Sequence, residues 1–258
     1  MLLPIGDDNR DRHITPYVNY LLIALNFFVF IYWQKWGQDM PFTFAYATVP
    51  GEILTASDII TDSKILKDPY TGQRFELPGL QPTPMPVFFT LITSMFMHGG
   101  IAHILGNMMF LWIFGDNLEN AMGHLKYVLF YLLCGVLASL SHVFSTVVLG
   151  QNLLIPSLGA SGAISAVLAG YLLLFPTRGV HVWVFFLIVT IPAFVVVGLW
   201  FVFQVLNGLG TLGGEEAGGV AYAAHIGGFL FGLLLVKKFL NPPPADARKT
   251  LWNSYRNK

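Results

Sequence analysis

Charge is what this chain has least of. Only 11% of its 258 residues are Asp, Glu, Lys or Arg, against about 25% in a soluble globular domain. The 14 basic and 14 acidic side chains cancel, which excludes the one-signed surface that holds nucleic acid. Cysteine is limited to Cys134. An intrachain disulfide is therefore impossible, and a lone thiol in an apolar run reads as a buried small hydrophobe. The opening stretch MLLPIGDDNRDRHITP lacks the basic, apolar, small-residue order of a cleaved signal peptide. No inverted repeat of the transporter type is visible, so residues 1–258 are taken as one domain.

Apolar residues fill the space. They make up 55% of the chain, with 22 Phe, and the mean hydropathy is +0.62. A bilayer-spanning helix needs about 20 mostly apolar residues. Six stretches meet that need, at 17–36, 87–114, 125–148, 160–176, 180–206 and 220–240. The expected fold is an all-α membrane protein, a six-helix bundle with a long first extramembrane loop at 37–86. That loop carries most of the mid-chain proline and charge, with short helices expected near 51–60. Tyr32, Trp33 and Trp36 suit an interfacial aromatic belt. Pro192 is expected to kink the fifth segment. The glycine-rich connection at 207–219 is expected to be mobile, and 241–258 is a basic tail.

Orientation follows from Lys and Arg. With the amino terminus inside, the inner side holds Arg10, Arg12, Lys126, Arg178, Lys237, Lys238, Arg248, Lys249, Arg256 and Lys258. The outer side holds Lys35, Lys64, Lys67 and Arg74. Both termini are therefore expected to be cytoplasmic, with a bacterial plasma membrane as the location.

Polar residues inside membrane segments are expensive and mark function. Segment two holds His98, His103 and Asn107, segment four Ser161 and Ser165, and segment six His225. Asp116 and Glu119 are placed just past the inner end of segment two, which leaves the three segments without a carboxylate. Ser161, Ser165 and Ala169 recur every fourth residue beside Gly162, Ala166 and Gly170. Ala224, Gly228 and Gly232 repeat with the same spacing. Small-residue stripes let membrane helices approach closely, and this approach would bring His225 to Ser161. A packing role alone would also explain the stripes. Ser161 opens its helix, where free backbone N–H groups favour an anion. His103 and Asn107 lie four apart on one face, both able to donate. His98 is about 140° away by helical rotation, so it is read as fixing local geometry. On this numbering His103 and Asn107 lie deeper than Ser161 unless the outer part of segment two stands clear of the membrane.

Other chemistries fit less well. A zinc site of the two-histidine helical type needs His at i and i+4 with a glutamate. Here the spacing is five and no carboxylate is near. A nucleophile elbow would need glycine where Ala163 stands. A Ser–His–Asp triad lacks its acid, so the pair is a dyad and what orients His225 is not evident. No metal or cofactor is expected.

Three motifs then stand in order: His98-Gly99-Gly100-Ile101-Ala102-His103-Ile104-Leu105-Gly106-Asn107, then Gly159-Ala160-Ser161-Gly162, then Ala224-His225-Ile226-Gly227-Gly228 with Gly232. Together they resemble the rhomboid intramembrane serine proteases, over about 87–240. The resemblance implies Ser161 as nucleophile and His225 as base, with His103, Asn107 and the Ser161 N–H around the oxyanion. It implies supporting roles for His98, Gly159, Gly162 and Gly228. It also implies a water-filled cavity in which the active-site helices start below the membrane surface, and transmembrane proteins as substrates. Oligomeric state is not implied. The sequence departs from the family in three places. Ser165 stands where some members have a tyrosine that stacks on the histidine. No Trp-Arg pair occurs in 37–86. Val220 replaces a frequent glycine four residues before Ala224, with Gly219 beside it.

Overall fold

The computed structural model describes residues 2–67, 72–212 and 221–241. The chain opens with strand β1 (Leu2–Asp7). Helix α1 (Tyr17–Phe28) follows and continues as a π-helical turn over Val29–Trp33. Helices α2 (Met40–Tyr46) and α3 (Pro50–Thr55) and the hairpin β2–β3 (Lys64–Lys67, Arg74–Leu77) form the connection. A short helical arm covers Val87–Phe96, with α4 (Thr90–Thr93) at its centre. Long helices α5 (Ile101–Met122) and α6 (His124–Val148) follow. Then come α7 (Ser161–Leu174), the hairpin β4–β5 (Gly179–Val184, Leu187–Pro192), α8 (Ala193–Leu212) and α9 (Tyr222–Phe239).

The fold is mostly helical but not all-α. β1 pairs antiparallel with β4, and β4 with β5, in a three-stranded sheet. This corrects the expected fifth segment. Residues 180–192 are hairpin, and Pro192 ends a strand instead of kinking a helix. Hydropathy averages over a window and does not distinguish a β-branched strand (Val180, Val182, Val184, Val189, Ile191) from a helix. The second segment is also broken. The arm Val87–Phe96 and α5 meet at 82°, because Gly99-Gly100 interrupts the helix. The arm buries Val87, Leu91 and Met95 against the bundle, and α5 runs on to Met122.

Among the described residues, α6, α9 and Ala193–Gly210 of α8 are long and apolar enough to cross a membrane. The bent pair makes a fourth if counted as one span, and Tyr17–Trp33 and α7 are shorter apolar helices. The exterior of α8 exposes Phe194, Leu199, Val202, Phe203, Leu206 and Leu209, as a helix facing lipid does. Of the connection expected to be mobile at 207–219, residues 207–212 instead continue α8; 213–219 and the basic tail from 242 onward lie outside the described residues. So does the start of the sixth segment at Val220; the described helix begins at Tyr222.

α7 is the central element. Every residue from Gly162 to Tyr171 is buried. Its small side chains let α9 approach backbone to backbone. A Cβ on Gly232 would lie 2.6 Å from Ala166 Cα, and one on Gly228 would meet the carbonyl of Gly162. The touching rows are thus Gly162/Ala166 on α7 and Gly228/Gly232 on α9. Ser165 turns inward instead and donates to the Ser161 carbonyl at 2.6 Å.

One end of the bundle is polar and tied. Arg12 reaches Asp116 at 2.6 Å, and Asn120 Oδ1 accepts from the N–H groups of His13 and Ile14. The Glu119 carboxylate accepts from the first-turn amides of Val18 and Asn19 at 3.0 and 2.7 Å. Such a cap stabilises a helix start by about 0.5–2 kcal/mol. Tyr171 of α7 donates to Asp7 of β1 at 2.5 Å. Lys126 donates to the Leu240 carbonyl, and Asn241 N–H to that of Ala121. Asp116 and Glu119 thus lie within α5, buried, not past its end. Arg12 and the α1 amides supply the compensation that a hydropathy count omits.

Two outcomes test this packing. Gly232→Val should lower the melting temperature in detergent and reduce folded yield, since overpacking costs about 1–3 kcal/mol or more; an unchanged melt would mean that α7 and α9 are not in backbone contact. Burial also raises the Asp7 carboxyl from 3.8 to about 6. A raised acid favours the folded state below its unfolded value and loses that advantage as pH rises through 6. Asp7→Asn should therefore melt higher than the parent at pH 8 and equally at pH 4, as thermal scans at the two pH values will read.

Candidate active site

Ser161 is the first residue of α7, and His225 lies in the first turn of α9. Because the Gly162 and Gly228 backbones meet, the two side chains meet as well. Ser161 Oγ is 2.7 Å from His225 Nε2. The other ring nitrogen, Nδ1, is 2.7 Å from Gln204 Oε1 of α8. These two contacts agree in a single tautomer: Nδ1–H donates to the amide oxygen, and Nε2 accepts from the serine hydroxyl. A hydroxyl held against an imidazole in this way is the arrangement that activates a nucleophile.

Gln204 was not among the candidates read from the sequence. It is buried, a single amide in the otherwise apolar run Phe194–Leu206. That isolation was the available signal. Trp200, one turn earlier, lies with its ring 6.1 Å from that of His225, and Tyr222 approaches edge-on at 6.3 Å. Aromatic neighbours for the histidine thus come from α8 and α9, not from the Ser165 position.

His103 comes to the same place through Gly159. That glycine has φ +123°, and a Cβ there would stand 3.0 Å from His103 Nε2 and 3.6 Å from Ser161 Oγ. Only the missing side chain leaves room between the imidazole and the hydroxyl. His103 Nδ1 accepts from the Gly99 N–H at 3.3 Å, which leaves Nε2 to carry the ring proton on the edge that faces this gap. His98 precedes α5, so helical rotation does not apply to it. The bend folds it back, its ring 5.0 Å from that of His103 and its Nε2 3.0 Å from Asn107 Nδ2. Asn107 is buried; one amide hydrogen meets His98 and a second remains. With α5 starting at Ile101, His103 and Asn107 sit in its first two turns, level with the opening of α7.

The surrounding chain clamps these pieces. Gln34, fully buried just past the π-turn, accepts from the His98 N–H at 2.9 Å and donates to the His98 carbonyl at 3.0 Å. Thr48, in the long connection, exchanges both backbone bonds with Ser157, at 3.0 and 2.8 Å. Gly159 N–H donates to the Ser94 carbonyl at 2.9 Å. The 37–86 segment therefore holds the strand that leads into Ser161. Ser161 and His225 are half-buried and His103 is exposed, so the site is open on one side. Sequence reading did not single out Gln34 or Thr48, because both act through the backbone of distant residues.

The Rhomboid domain family model matches residues 86–242. Among curated relatives, the mouse (Mus musculus) presenilin-associated rhomboid-like protein, mitochondrial, is 29% identical over 176 residues, 62% of this chain and 43% of that protein. Rhomboid protein 1, mitochondrial, of Saccharomyces cerevisiae is 31% identical over 146 residues, 56% of this chain and 40% of the relative. RHOMBOID-like protein 4 of Arabidopsis thaliana is 33% identical over 145 residues, 56% and 32%. The chain spans less than half the length of these relatives. Two of them are named as mitochondrial, so they lend no support to a bacterial plasma membrane. Hydropathy and charge asymmetry report a multi-pass membrane protein, not which membrane it occupies.

Proposed function

The chain belongs to the rhomboid family, and from that premise we propose that it is an intramembrane serine endopeptidase whose nucleophile and base are Ser161 and His225. The observation that carries the reading is the 2.7 Å contact between Ser161 Oγ and His225 Nε2 at the mouth of a buried helix. His225 Nε2 takes the hydroxyl proton as Ser161 Oγ bonds to the carbonyl carbon of a peptide. The carbonyl oxygen becomes an oxyanion. The Ser161 backbone N–H, His103 Nε2–H and the second Asn107 N–H are the donors that meet it. The carbon–nitrogen bond then breaks, and the leaving amine takes its proton from His225. Water, deprotonated by His225, releases the acyl group and restores Ser161.

The depth of the site suits a membrane-embedded substrate. α7 has 14 residues, about 21 Å at 1.5 Å per residue, short of the ~30 Å hydrocarbon core. Its far end is tied by Tyr171 to Asp7, so the shortfall lies at Ser161. The hydroxyl then sits below one membrane face, and the open side admits water. The substrate is a transmembrane segment that unwinds locally, most readily at residues with low helix propensity. The tied end supports both termini on one side, with six membrane helices counted as α1, α5, α6, α7, α8 and α9 and residues 1–258 as one domain.

A fluorophosphonate probe tests the nucleophile directly. Labelling in detergent should vanish in Ser161→Ala and fall severely in His225→Ala; persistence in Ser161→Ala would place the nucleophile elsewhere. On a model transmembrane substrate, Asn107→Ala should lose roughly 10²-fold or more in turnover, the scale for one oxyanion donor. Gly159→Ala, whose methyl would fill the gap beside His103, should lose at least tenfold. Unchanged rates in both would remove that side of the site from the reaction.

A further inference from the structure

We propose that Gln204 is the positioning residue of the site: its amide oxygen holds His225 in the tautomer and orientation that let Nε2 receive the Ser161 proton. The proposal rests on the Ser161–His225 reading above. An imidazole has two neutral tautomers, and only one leaves Nε2 without a proton. A base with no partner on Nδ1 divides between them and turns about its χ2 bond. Here Nδ1 lies 2.7 Å from Gln204 Oε1, and the amide itself is buried in an apolar stretch of α8. An acceptor at this point selects Nδ1–H and leaves Nε2 free.

The chemistry explains why an amide stands where other serine hydrolases place a carboxylate. An unpaired carboxylate is strongly disfavoured in an apolar interior, and no Lys or Arg lies in α7, in α8 or in the active-site half of α9. A neutral carbonyl supplies the acceptor without that cost. It orients the ring but adds no full negative charge against the imidazolium that forms during the reaction. Gln204 therefore substitutes for the orienting part of a third residue and leaves out the ionic part. It also makes α8, a helix whose outer face is exposed, a contributor to the geometry of the base.

Two variants and two readouts test the assignment. Gln204→Leu keeps volume and removes the acceptor; kcat should fall 10- to 100-fold with KM within about twofold. Gln204→Glu keeps an acceptor oxygen whether or not the acid ionises; activity should persist well above that of Gln204→Leu. The other titratable groups facing His225, namely His103, His142 and Tyr222, are unchanged in both variants. Nitrogen-15 spectra of the His225 ring in Ser161→Ala protein give a readout that needs no turnover. The protonated nitrogen should be Nδ1 with Gln204 present, and the population should shift toward Nε2–H in Gln204→Leu. A Leu variant with full kcat or an unchanged tautomer would each overturn the role of Gln204. If the ring shows the expected tautomer while the parent neither labels nor cleaves, the positioning stands and the protease reading fails.

Discussion

The backbone contact between α7 and α9 is the constraint on which the rest depends. Gly162 and Ala166 face Gly228 and Gly232 with no side chain between them. That separation brings a hydroxyl on the first residue of one helix within 2.7 Å of an imidazole in the first turn of the other. Neither side chain reaches far: serine has one rotatable carbon, and histidine a short rigid ring. Helices at an ordinary side-chain separation of 8–10 Å would leave the pair apart. Because every residue from Gly162 to Tyr171 is buried, the helix that carries Ser161 is fixed by packing around it. The open side of the site belongs to α5, through His103.

Around that contact, the hydrogen-bonding partners are neutral amides. Gln34 holds both backbone groups of His98, Asn107 meets the His98 ring, and Gln204 meets His225. Each brings a strong dipole into an apolar interior without the solvation loss of a buried ion. The charges are gathered elsewhere, at the end where β1, the α5–α6 joint and the last turns of α7 and α9 converge. There Asp116 and Glu119 are compensated by Arg12, His124 and the α1 amides. The chain thus separates two kinds of polar chemistry along its long axis. A neutral hydrogen-bonded site lies at one end of α7, and an ionic cluster secures the other.

Helical stretches with strong apolar periodicity were legible in the sequence to within a few residues: 17–36 against Tyr17–Trp33, 125–148 against α6, 160–176 against α7 and 220–240 against α9. The two that were not share a cause. At 180–206 a β-branched hairpin runs straight into a helix, and at 87–114 a Gly-Gly bend divides two helices. Hydropathy is blind to backbone direction in both. The misplaced bend also misassigned His98, which was carried around a helix that had not yet begun. The apparent depth mismatch between Ser161 and the His103–Asn107 pair had the same origin.

The family resemblance and the candidate residues rest on motifs in which chemistry and spacing are local: a serine between glycines, a histidine beside a glycine repeat, a His–Asn pair one turn apart. Local order determines these, because a helix repeats every 3.6 residues whatever surrounds it. Which side chain meets the second ring nitrogen of His225 was a matter for the tertiary structure alone. Gln204 is 21 residues from His225 along the chain, and Gln34 is 64 from His98. No periodicity links such positions. The contacts exist because α8 packs beside α9 and because the end of α1 meets the bend before α5. A sequence shows that an amide is present in an apolar run; only the packing of one helix on another decides which ring nitrogen it faces.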